Sequence, residues 1–351
     1  ADAPGPAEFL APVIPLLSVY ADTSVVAVGT AVDILKGCKP IRCDDEIYAD
    51  KIYADINPDF LVSAISSLTH GPDVNNRLIT LAHEHDVPVL CLQDYWGNHR
   101  WPHNQEIVSR LAGVCVSDEL AASLWKEDGF AGSIYVTGNP AFDRFASIDV
   151  AGERNKLRNF LGCAPHDRVV MFAGQGTPKH IESDKKTFAY VTDAIRGRFP
   201  DIPVKLIVRA HPRAIETAYY AQYADGIEII DTSFAELSDD ILPAADVIVS
   251  MFSTSLVHAC YLRISAVSVL LPQQGRMVLK NVGLDDFPPN ILGASMGVYE
   301  ESPAVLRDML EHIFSDFAVA TRMRAAQEKH FPLDTKAVMR VMNVIQEFVT
   351  Q

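Results

Sequence analysis

The sequence is poor in basic residues. Lysine and arginine number 30 against 45 aspartate and glutamate residues, which gives the 351-residue chain a formal net charge of −15 at pH 7. Because nucleic acids are bound by net basic surfaces, this balance argues against nucleic acid as a partner. It also argues against tight docking on an anionic membrane, and we expect at most a peripheral membrane contact.

The sequence contains only six cysteines, and no two of them form a C-x-x-C pair. Cys91, Cys115 and Cys260 lie inside apolar runs, where a reduced cysteine behaves as a small hydrophobe. We therefore expect no disulfide framework. The expected location is the cytoplasm, with the inner face of the cytoplasmic membrane as an option. No apolar run reaches the ~20 residues needed to span a bilayer.

Tandem repeats and low-complexity segments are also lacking, while 48% of the residues are apolar. Apolar runs alternate with helical-period segments nearly throughout, which is typical of an α/β protein. A chain of this length is too long for one ordinary core. We predict two Rossmann-like, doubly wound domains facing a cleft, at 1–146 and 147–333. A C-terminal helix within 334–351 is expected to pack back on the N-terminal domain.

Ten apolar runs are predicted to be strands. They are Ser24–Val28, Phe60–Ala64, Val87–Leu92, Gly113–Val116, Ser133–Val136, Arg168–Ala173, Val204–Ala210, Ile227–Ile230, Val247–Ser250 and Ser265–Leu270. The predicted helices are Asp73–His85, Asp118–Asp128, Lys185–Phe199, Ser255–Leu262, Pro303–Phe314, Ala318–His330 and Asp334–Val349. The chain starts with a loop entering a helix near Gly5, so the first strand of the N-terminal domain is expected to be missing.

Polar and cationic side chains follow two of the buried strands in the second half. They are Arg209, His211 and Arg213 after one strand, and Ser253, Thr254 and Ser255 after the other. In an open parallel sheet, ligands bind at the carboxyl ends of the strands. These side chains are therefore expected to gather at one edge and to bind an anion, with phosphate as the favoured ligand. The alternative is that they are the ordinary polar loops that end any buried strand.

A third strand runs directly into Gly174, Gln175, Gly176 and Thr177. Glycines let backbone N–H groups approach a phosphate or a sugar closely. The third glycine of a dinucleotide-binding fingerprint is absent, so the motif by itself is weak. We expect this loop to form another wall of the same site. Asp231, after a further strand, is a candidate for contacts with ribose or base, and Gln273 for contacts with sugar hydroxyls.

Three motifs carry a family resemblance. Residues 137–143, TGNPAFD, are similar to the GNP-x-x-D hinge of hydrolysing UDP-N-acetylglucosamine 2-epimerases and lipid-A-disaccharide synthase. The pair His211-Pro212 resembles the His-Pro motif of bacterial sialyltransferases, Kdo transferases and teichoic-acid glycerophosphotransferases, and the run Ser253–Ser255 resembles the serine-rich motif of those families. The chain therefore resembles the GT-B superfamily of glycosyltransferases and sugar-nucleotide enzymes.

The resemblance implies a nucleotide-donor domain at the C-terminal side and an acceptor domain at the N-terminal side. It implies that His211 and the serine run hold the donor phosphate, that Gly174 and Gly176 line the donor cleft, and that Arg209 supplies positive charge. The chain departs from the 2-epimerases because their His-x-Glu-Ala-Gly stretch does not follow the strand that ends at Leu92. An epimerase activity is therefore less favoured.

The catalytic base is sought in the N-terminal domain, because sugar transfer needs a group that deprotonates the acceptor hydroxyl. Asp94 follows a strongly apolar strand; its alternative role is a helix cap or a loop hydrogen bond. His99 lies among Trp96 and Trp101, which can stack on a sugar or simply cover the core. His70 is a further candidate base, with a capping turn as the alternative.

These observations predict a metal-independent glycosyltransferase of polysaccharide biosynthesis. It would move a sugar from a CMP-, CDP- or UDP-linked donor to a glycan or a lipid-linked acceptor. The sequence lacks an Asp-x-Asp motif, so we expect neither a metal nor a cofactor beyond the nucleotide-sugar substrate. The alternatives are a hydrolysing sugar-nucleotide 2-epimerase and a non-catalytic nucleotide- or glycan-binding protein with a degenerate site.

Overall fold

The computed structural model describes residues 1, 3–65, 73–196, 199, 203–211, 214, 216–223, 227–231, 239–272 and 279–349. The chain divides into two compact units. The first consists of Ala1–Ala146, Asn281–Gly283 and Asp334–Gln351, and the second of Ser147–Lys280 and Leu284–Leu333. Each unit combines helices with parallel sheet, which confirms the predicted α/β class of two Rossmann-like domains.

The sheets of the first unit are parallel throughout. Its strands are β1 (Val26–Ala27), β2 (Ile41–Arg42), β3 (Leu61–Ile65), β4 (Val89–Gln93), β5 (Gly113–Val116) and β6 (Ser133–Val136). Strands β3 to β6 form one sheet in chain order, and β1 pairs with β2. All residues of β4 and β5 are buried, as expected of parallel strands that are covered on both faces. The predicted strand Ser24–Val28 is present only as the two residues of β1.

Helices precede and connect the strands of the first unit. They are α1 (Pro4–Leu10), α2 (Ile14–Tyr20), α3 (Ala31–Ile34), α4 (Glu46–Ile56), α5 (Val74–Glu84), α6 (Pro102–Val108) and α7 (Glu119–Glu127), with short 3₁₀ turns at Lys36–Cys38, Asn98–Arg100 and Pro140–Ser147. Asp45, Asp73 and Asp118 each accept a hydrogen bond from the backbone N–H three residues on. These caps satisfy N–H groups that the helix itself leaves without partners.

The second unit contains one six-stranded parallel sheet. Its strands are β7 (Arg168–Ala173), β8 (Val204–Arg209), β9 (Ile229–Asp231), β10 (Val247–Ser250), β11 (Ser265–Val269) and β12 (Met296–Val298). They lie in the order β12-β11-β10-β7-β8-β9, which is the Rossmann order. The order reverses between β7 and β10, so the carboxyl ends of these two strands flank the topological switch point, where such sheets bind ligands.

The helices of the second unit cover this sheet. They are α8 (Val150–Phe160), α9 (Ile181–Arg196), α10 (Ala218–Gln222), α11 (Thr254–Tyr261), α12 (Pro288–Ile291), α13 (Pro303–Ser315) and α14 (Phe317–His330), with a 3₁₀ turn at Asp239–Ala244. Helix α9 begins four residues before its predicted start at Lys185, and α8, α10, α12 and β12 are additions to the prediction. The core between sheet and helices includes Phe172, Phe188 and Tyr220, which are fully buried or nearly so.

The last helix, α15 (Ala337–Val349), belongs to the first unit. Val341 and Ile345 lie in the same hydrophobic cluster as Leu92 of β4. The carboxylate of Asp143, the last residue of the TGNPAFD stretch, accepts hydrogen bonds from the backbone N–H groups of Ala337 (3.3 Å) and Val338 (3.1 Å). One of the three motifs that carry the resemblance therefore caps the C-terminal helix. Among the described residues, no helix combines the length and the apolar character needed to cross a bilayer.

Candidate functional site

The loops after β7 and β10 are tied together at the switch point of the second unit. The hydroxyl of Ser250 donates to the carbonyl of Ala173 (2.6 Å), and the backbone N–H of Phe252 donates to Oε1 of Gln175 (3.1 Å). The chain separation is 77 residues in both cases. The two strand ends that should flank a ligand are therefore held at a defined spacing by polar contacts.

Arg209 reaches this edge from the end of β8. Its Nη1 donates to Oγ of Ser255, in the first turn of α11, at 3.0 Å. Because β8 lies next to β7, and β7 next to β10, this contact spans the switch point. Ser255 is buried and Arg209 is half-buried. The structure thus brings together two of the predicted donor residues, which are 46 positions apart in the chain.

The start of α11 presents the electropositive end of a helix at the same edge. Ser253 has extended backbone geometry and caps the helix, its hydroxyl accepting from the N–H of Ser255 at 3.2 Å. Thr254, the first helical residue, is exposed. The helix dipole makes such a terminus favourable for an anion. An arginine, hydroxyl groups and a helix N-terminus are the kinds of group with which proteins bind phosphate.

The glycines after β7 have a packing role in the structure. A Cβ atom on Gly174 would collide with the hydroxyl of Tyr220. The N–H of Gly174 donates to the carbonyl of Arg209 (2.8 Å), and the N–H of Gln175 donates to the carboxylate of Asp184 (2.5 Å). Two of the N–H groups that the sequence suggested for a ligand are therefore engaged within the protein. A donor contact by Gly176 stays a prediction.

Two aromatic rings that were not among the predicted site residues lie at the switch point. The ring of His180 stands edge-on to the ring of Phe252, with centroids 5.5 Å apart and an interplanar angle of 82°. Burial, and then the nearby Lys179, lower the pKa of His180. Thr177 is close in sequence, and its carbonyl accepts from the N–H of His180 at 2.9 Å. The signal in the sequence was the pair Lys179-His180, which follows the glycine loop after Pro178.

The remaining predicted donor residues lie around or beyond this group. His211 is half-buried two residues after β8, and its carbonyl accepts from the N–H of Ala214 at 2.8 Å. Asp231 is exposed at the end of β9, paired in register with Val208, and so lies beside the end of β8. Arg213 and Gln273, like the candidate base His70, lie outside the described residues. Their roles stay predictions.

In the first unit, Asp94 directly follows β4 and is half-buried. Its Oδ1 accepts from Nδ2 of Asn98 at 2.5 Å, and a Cβ atom on Gly5 of α1 would collide with its Oδ2. Nδ2 of Asn98 also lies 3.4 Å from the carbonyl of Ile65, at the end of β3. The carboxylate therefore has the loop hydrogen bond that was the alternative to a catalytic role, and its function as a base stays a prediction.

His99 lies in a buried network rather than on an open surface. Its ring stacks on Trp125 at 4.0 Å and is 3% exposed. The indole N–H of Trp125 donates to Oε1 of Gln93 (2.8 Å), so Nε2 of Gln93 must donate to Nδ1 of His99 (3.1 Å). Nε2 of His99 then carries the proton and donates to Asp128 (2.8 Å).

This hydrogen-bond chain keeps the imidazole of His99 neutral. Burial lowers the pKa of His99, although Asp128 acts in the opposite direction. The lone pair of Nδ1 is already used by Gln93, so it does not take a proton from an acceptor hydroxyl. Trp96, predicted as part of a sugar platform, is 3% exposed and donates from its indole N–H to the carboxylate of Asp118 at 2.9 Å. This geometry supports the packed-loop alternative.

A separate surface pocket of about 210 Å³ lies between α4, α5 and α6 of the first unit. Its lining combines Glu46, Asp73 and Glu106 with Arg77, His103 and Arg110. Because the lining carries carboxylates as well as guanidinium groups, the pocket has no clear preference for an anion. Among the described residues, no three His, Cys, Asp or Glu side chains are grouped so that they could hold a metal ion.

Solved structures of nucleotide-sugar enzymes share this fold at low sequence identity. The S. aureus protein MnaA, solved with UDP, is 14% identical, with a TM-score of 0.71 over 100% of this chain and 95% of that chain. UDP-GlcNAc 2-epimerase from Neisseria meningitidis, bound to UDP-GlcNAc, is 13% identical, with a TM-score of 0.68 over 97% and 96%. MurG from Acinetobacter baumannii is 15% identical, with a TM-score of 0.64 over 99% and 98%.

No protein-family model matches the chain, and no curated protein matches it in sequence. At identities of this order the structural likeness establishes the fold alone. The two-domain, Rossmann-like fold that the resemblance to the GT-B superfamily implies is confirmed, because these structures share the fold over nearly the whole chain. What the chain binds and which reaction it performs have to be argued from its own residues.

Proposed function

We propose that the protein is a glycosyltransferase whose second unit binds the phosphates of a nucleotide sugar at its switch point. The observation that carries the proposal is the contact between Arg209 and Ser255 across that point, beside the N-terminus of α11. The acceptor would be a glycan or a lipid-linked sugar, taken by the first unit. Polysaccharide biosynthesis is the process in which we place this reaction.

Sugar transfer requires stabilisation of the negative charge that develops on the leaving nucleotide phosphate. Arg209 offers a guanidinium held by Ser255, Ser253 and Thr254 offer hydroxyls, and α11 offers the positive end of its dipole. Preorganised donors of this kind stabilise developing negative charge without a metal ion. His180 and Phe252 provide ring faces and edges beside the same loops, which suits a ribose or a base.

We propose uridine diphosphate as the carrier of the sugar. The support comes from the structures with the same fold, which were solved with UDP, UDP-GlcNAc or UDP-glucose. The His211-Pro212 pair and the serine run favour a cytidine nucleotide instead, so CMP and CDP belong in the same test. The proposed substrate is thus a nucleotide sugar. The proposal does not depend on which residue is the base that activates the acceptor.

The test is nucleotide binding by matched variants. We expect UDP to raise the melting temperature in a concentration-dependent way, more than CMP, CDP, UMP, GDP or NAD at equal concentration. Arg209→Ala should weaken UDP binding by about tenfold or more in calorimetry, because it removes a charge-assisted contact. Lys205→Ala is the control, since Lys205 lies at the opposite end of β8 and contacts Glu228.

The proposal fails if Arg209→Ala binds UDP as tightly as the unaltered chain does. It also fails if no nucleotide in the panel shifts the melting temperature. Equal losses in the Lys205 and Arg209 variants would point to general destabilisation of the sheet rather than to a site. These outcomes concern nucleotide binding alone. Turnover is measured separately, because it also depends on the acceptor.

A hydrolysing UDP-GlcNAc 2-epimerase is the second candidate. It is favoured by the names of several structures that share the fold over nearly the whole chain. The absence of His-x-Glu-Ala-Gly after the strand that ends in Gln93 argues against it. Release of UDP from UDP-GlcNAc without any acceptor would support the epimerase, whereas release only with an acceptor would support the transferase. Binding without release under either condition would indicate a non-catalytic nucleotide-binding protein.

A further inference from the structure

A buried carboxylate lies directly beneath the proposed nucleotide site. Asp184, in the first turn of α9, is 1% exposed. Its Oδ1 accepts from the backbone N–H of Gln175, and its Oδ2 accepts from the hydroxyls of Tyr219 and Tyr220 of α10. A buried carboxylate is costly unless its oxygens are hydrogen-bonded, so this residue needs all three donors.

The hydrogen bonds continue from Asp184 into both loops of the site. The carboxylate holds the N–H of Gln175, and Oε1 of Gln175 accepts from the N–H of Phe252, just before the Ser253 cap of α11. A single line of contacts thus runs from α10, through α9 and the loop after β7, to the loop after β10. The residues at the far end of that line are those that the proposed function uses.

The glycines of the loop fit closely over the same group. A Cβ atom on Gly174 would collide with the Tyr220 hydroxyl and lie 3.2 Å from Oδ2 of Asp184. A Cβ atom on Gly176 would lie 3.2 Å from the hydroxyl of Tyr219. The loop therefore rests on the carboxylate and the two tyrosine hydroxyls, and its position depends on theirs.

We propose that Asp184 is a positioning residue, which holds the loops after β7 and β10 in the arrangement that the nucleotide requires. It touches neither the ligand nor the reacting atoms, and it acts through Gln175. The inference rests on the proposed function only in taking a nucleotide as the ligand of these loops. The effect of the carboxylate on the two loops involves only residues of the second unit, so it does not depend on which ligand binds.

The chemistry of the group suits this role. Burial raises the pKa of Tyr219 and Tyr220, and Asp184 raises them further, so both hydroxyls remain protonated and able to donate. Burial raises the pKa of Asp184 too, whereas its hydrogen bonds from Tyr219, Gln175 and Tyr220 act in the opposite direction and favour the ionised form, to which hydrogen bonds are stronger. An amide side chain at position 184 would keep one oxygen for the N–H of Gln175 but lose the charge that draws in the two hydroxyls.

The experiment compares Asp184→Leu and Asp184→Asn with a matched control on the same helix. Thr192→Val is the control, because it removes a buried hydroxyl that donates to the carbonyl of Ala189 (2.8 Å), away from both loops. For each variant we would measure hydrogen exchange at the amides of Gln175 and Phe252, relative to the amides of β10. The affinity for UDP would be measured by calorimetry on the same samples.

We expect Asp184→Leu to speed exchange at both amides and to weaken UDP binding by about tenfold or more, the range for a lost charge-assisted hydrogen bond. Asp184→Asn should fall between Asp184→Leu and the unaltered chain, and it decides the question if the leucine variant does not fold. Gln175→Met should speed exchange at Phe252 and leave the Gln175 amide protected. Thr192→Val should change neither measurement.

Unchanged exchange at Gln175 and Phe252 in both Asp184 variants would overturn the inference. Faster exchange with unchanged UDP affinity would overturn it as well, because the loops would then move without consequence for the ligand. If the unaltered chain binds no nucleotide, the proposed function fails, while the exchange rates still decide whether Asp184 positions the loops. The two failures are therefore distinguishable.

Discussion

The imidazole of His99 lies between Gln93 and Asp128 and on the indole of Trp125, and these three contacts decide its chemistry. An indole N–H is only a donor, so it orients the Gln93 amide, and the amide in turn selects the tautomer of the histidine. The result is a neutral, buried ring with no position left for a substrate proton. His99, a candidate base in the sequence, is therefore part of the buried core.

Replacing His99 should therefore lower stability and leave the nucleotide site intact. We expect His99→Leu to reduce the free energy of unfolding by about 2–3 kcal/mol, because the Gln93 amide loses its partner in a buried site. UDP affinity should not change. Urea unfolding and calorimetry measure the two effects, with the exposed His312→Gln as the control. A large loss of UDP affinity in His99→Leu would contradict this assignment.

The same histidine should give a pH dependence of known sign. Burial lowers the pKa of His99 in the folded state, whereas the unfolded chain has the ordinary value of about 6.5. The unfolded state therefore binds more protons below that pH. This contribution to stability is complete above about pH 6.5 and is lost as the pH falls through the folded value. The slope of unfolding free energy between pH 7 and 5 should be smaller in His99→Leu than in the unaltered chain.

At the scale of elements, helix ends depend on single carboxylates. Asp143 caps α15 from a loop nearly 200 residues away, and Asp316 caps α14 from the preceding position by accepting from the N–H of Ala318 (2.8 Å). Both carboxylates satisfy N–H groups of a first helical turn, where negative charge is also favoured by the helix dipole. The Asp143 cap joins segments that are distant in the chain, whereas the Asp316 cap is local.

Removing each cap should loosen a different helix. We expect Asp143→Ala and Asp316→Ala each to cost about 1 kcal/mol of unfolding free energy, the usual value for a capping side chain. Hydrogen exchange should become faster in the first turn of α15 for Asp143→Ala, and in the first turn of α14 for Asp316→Ala. Faster exchange in both helices for either variant would show that the caps do not act locally.

At the scale of the whole molecule, each unit has a hydrophobic cluster of its own among the described residues. The cluster that contains Phe172 and Phe188 draws only on the second unit, and the cluster that contains Phe9 and Leu90 only on the first. The chain has three tryptophans, Trp96, Trp101 and Trp125, which all belong to the first unit. Tryptophan fluorescence therefore reports on one unit and not on the other.

This distribution predicts how a nucleotide changes unfolding. A ligand that binds only the folded second unit stabilises it by about 2.7 kcal/mol at a hundred times its dissociation constant. We expect UDP to raise the transition of the second unit in calorimetry and circular dichroism, and to leave the fluorescence-detected transition in place. Equal shifts by all three methods would mean either that the units unfold as one or that UDP binds the first unit.

The order of elements along the chain was readable from the sequence for a physical reason. Strands of parallel sheets are buried on both faces, so β4, β7 and β10 appear as unbroken apolar runs, and Gly113–Val116, Ser133–Val136, Arg168–Ala173 and Val247–Ser250 are found where they were predicted. The short edge strands β2 and β12 carry no such signal. The resemblance to the GT-B fold followed from local motifs, which need no knowledge of contacts.

The order of strands in space, and every contact across it, was decided only by the tertiary structure. Nothing local to Arg209 and Ser255 pairs them; they meet because β7 lies between β8 and β10. The same holds for Asp184 with Tyr219, and for His99 with Trp125, where burial and distant partners set the protonation of groups whose residue type alone leaves it open. The sequence by itself determined which residues end the strands, and packing determined which of them meet.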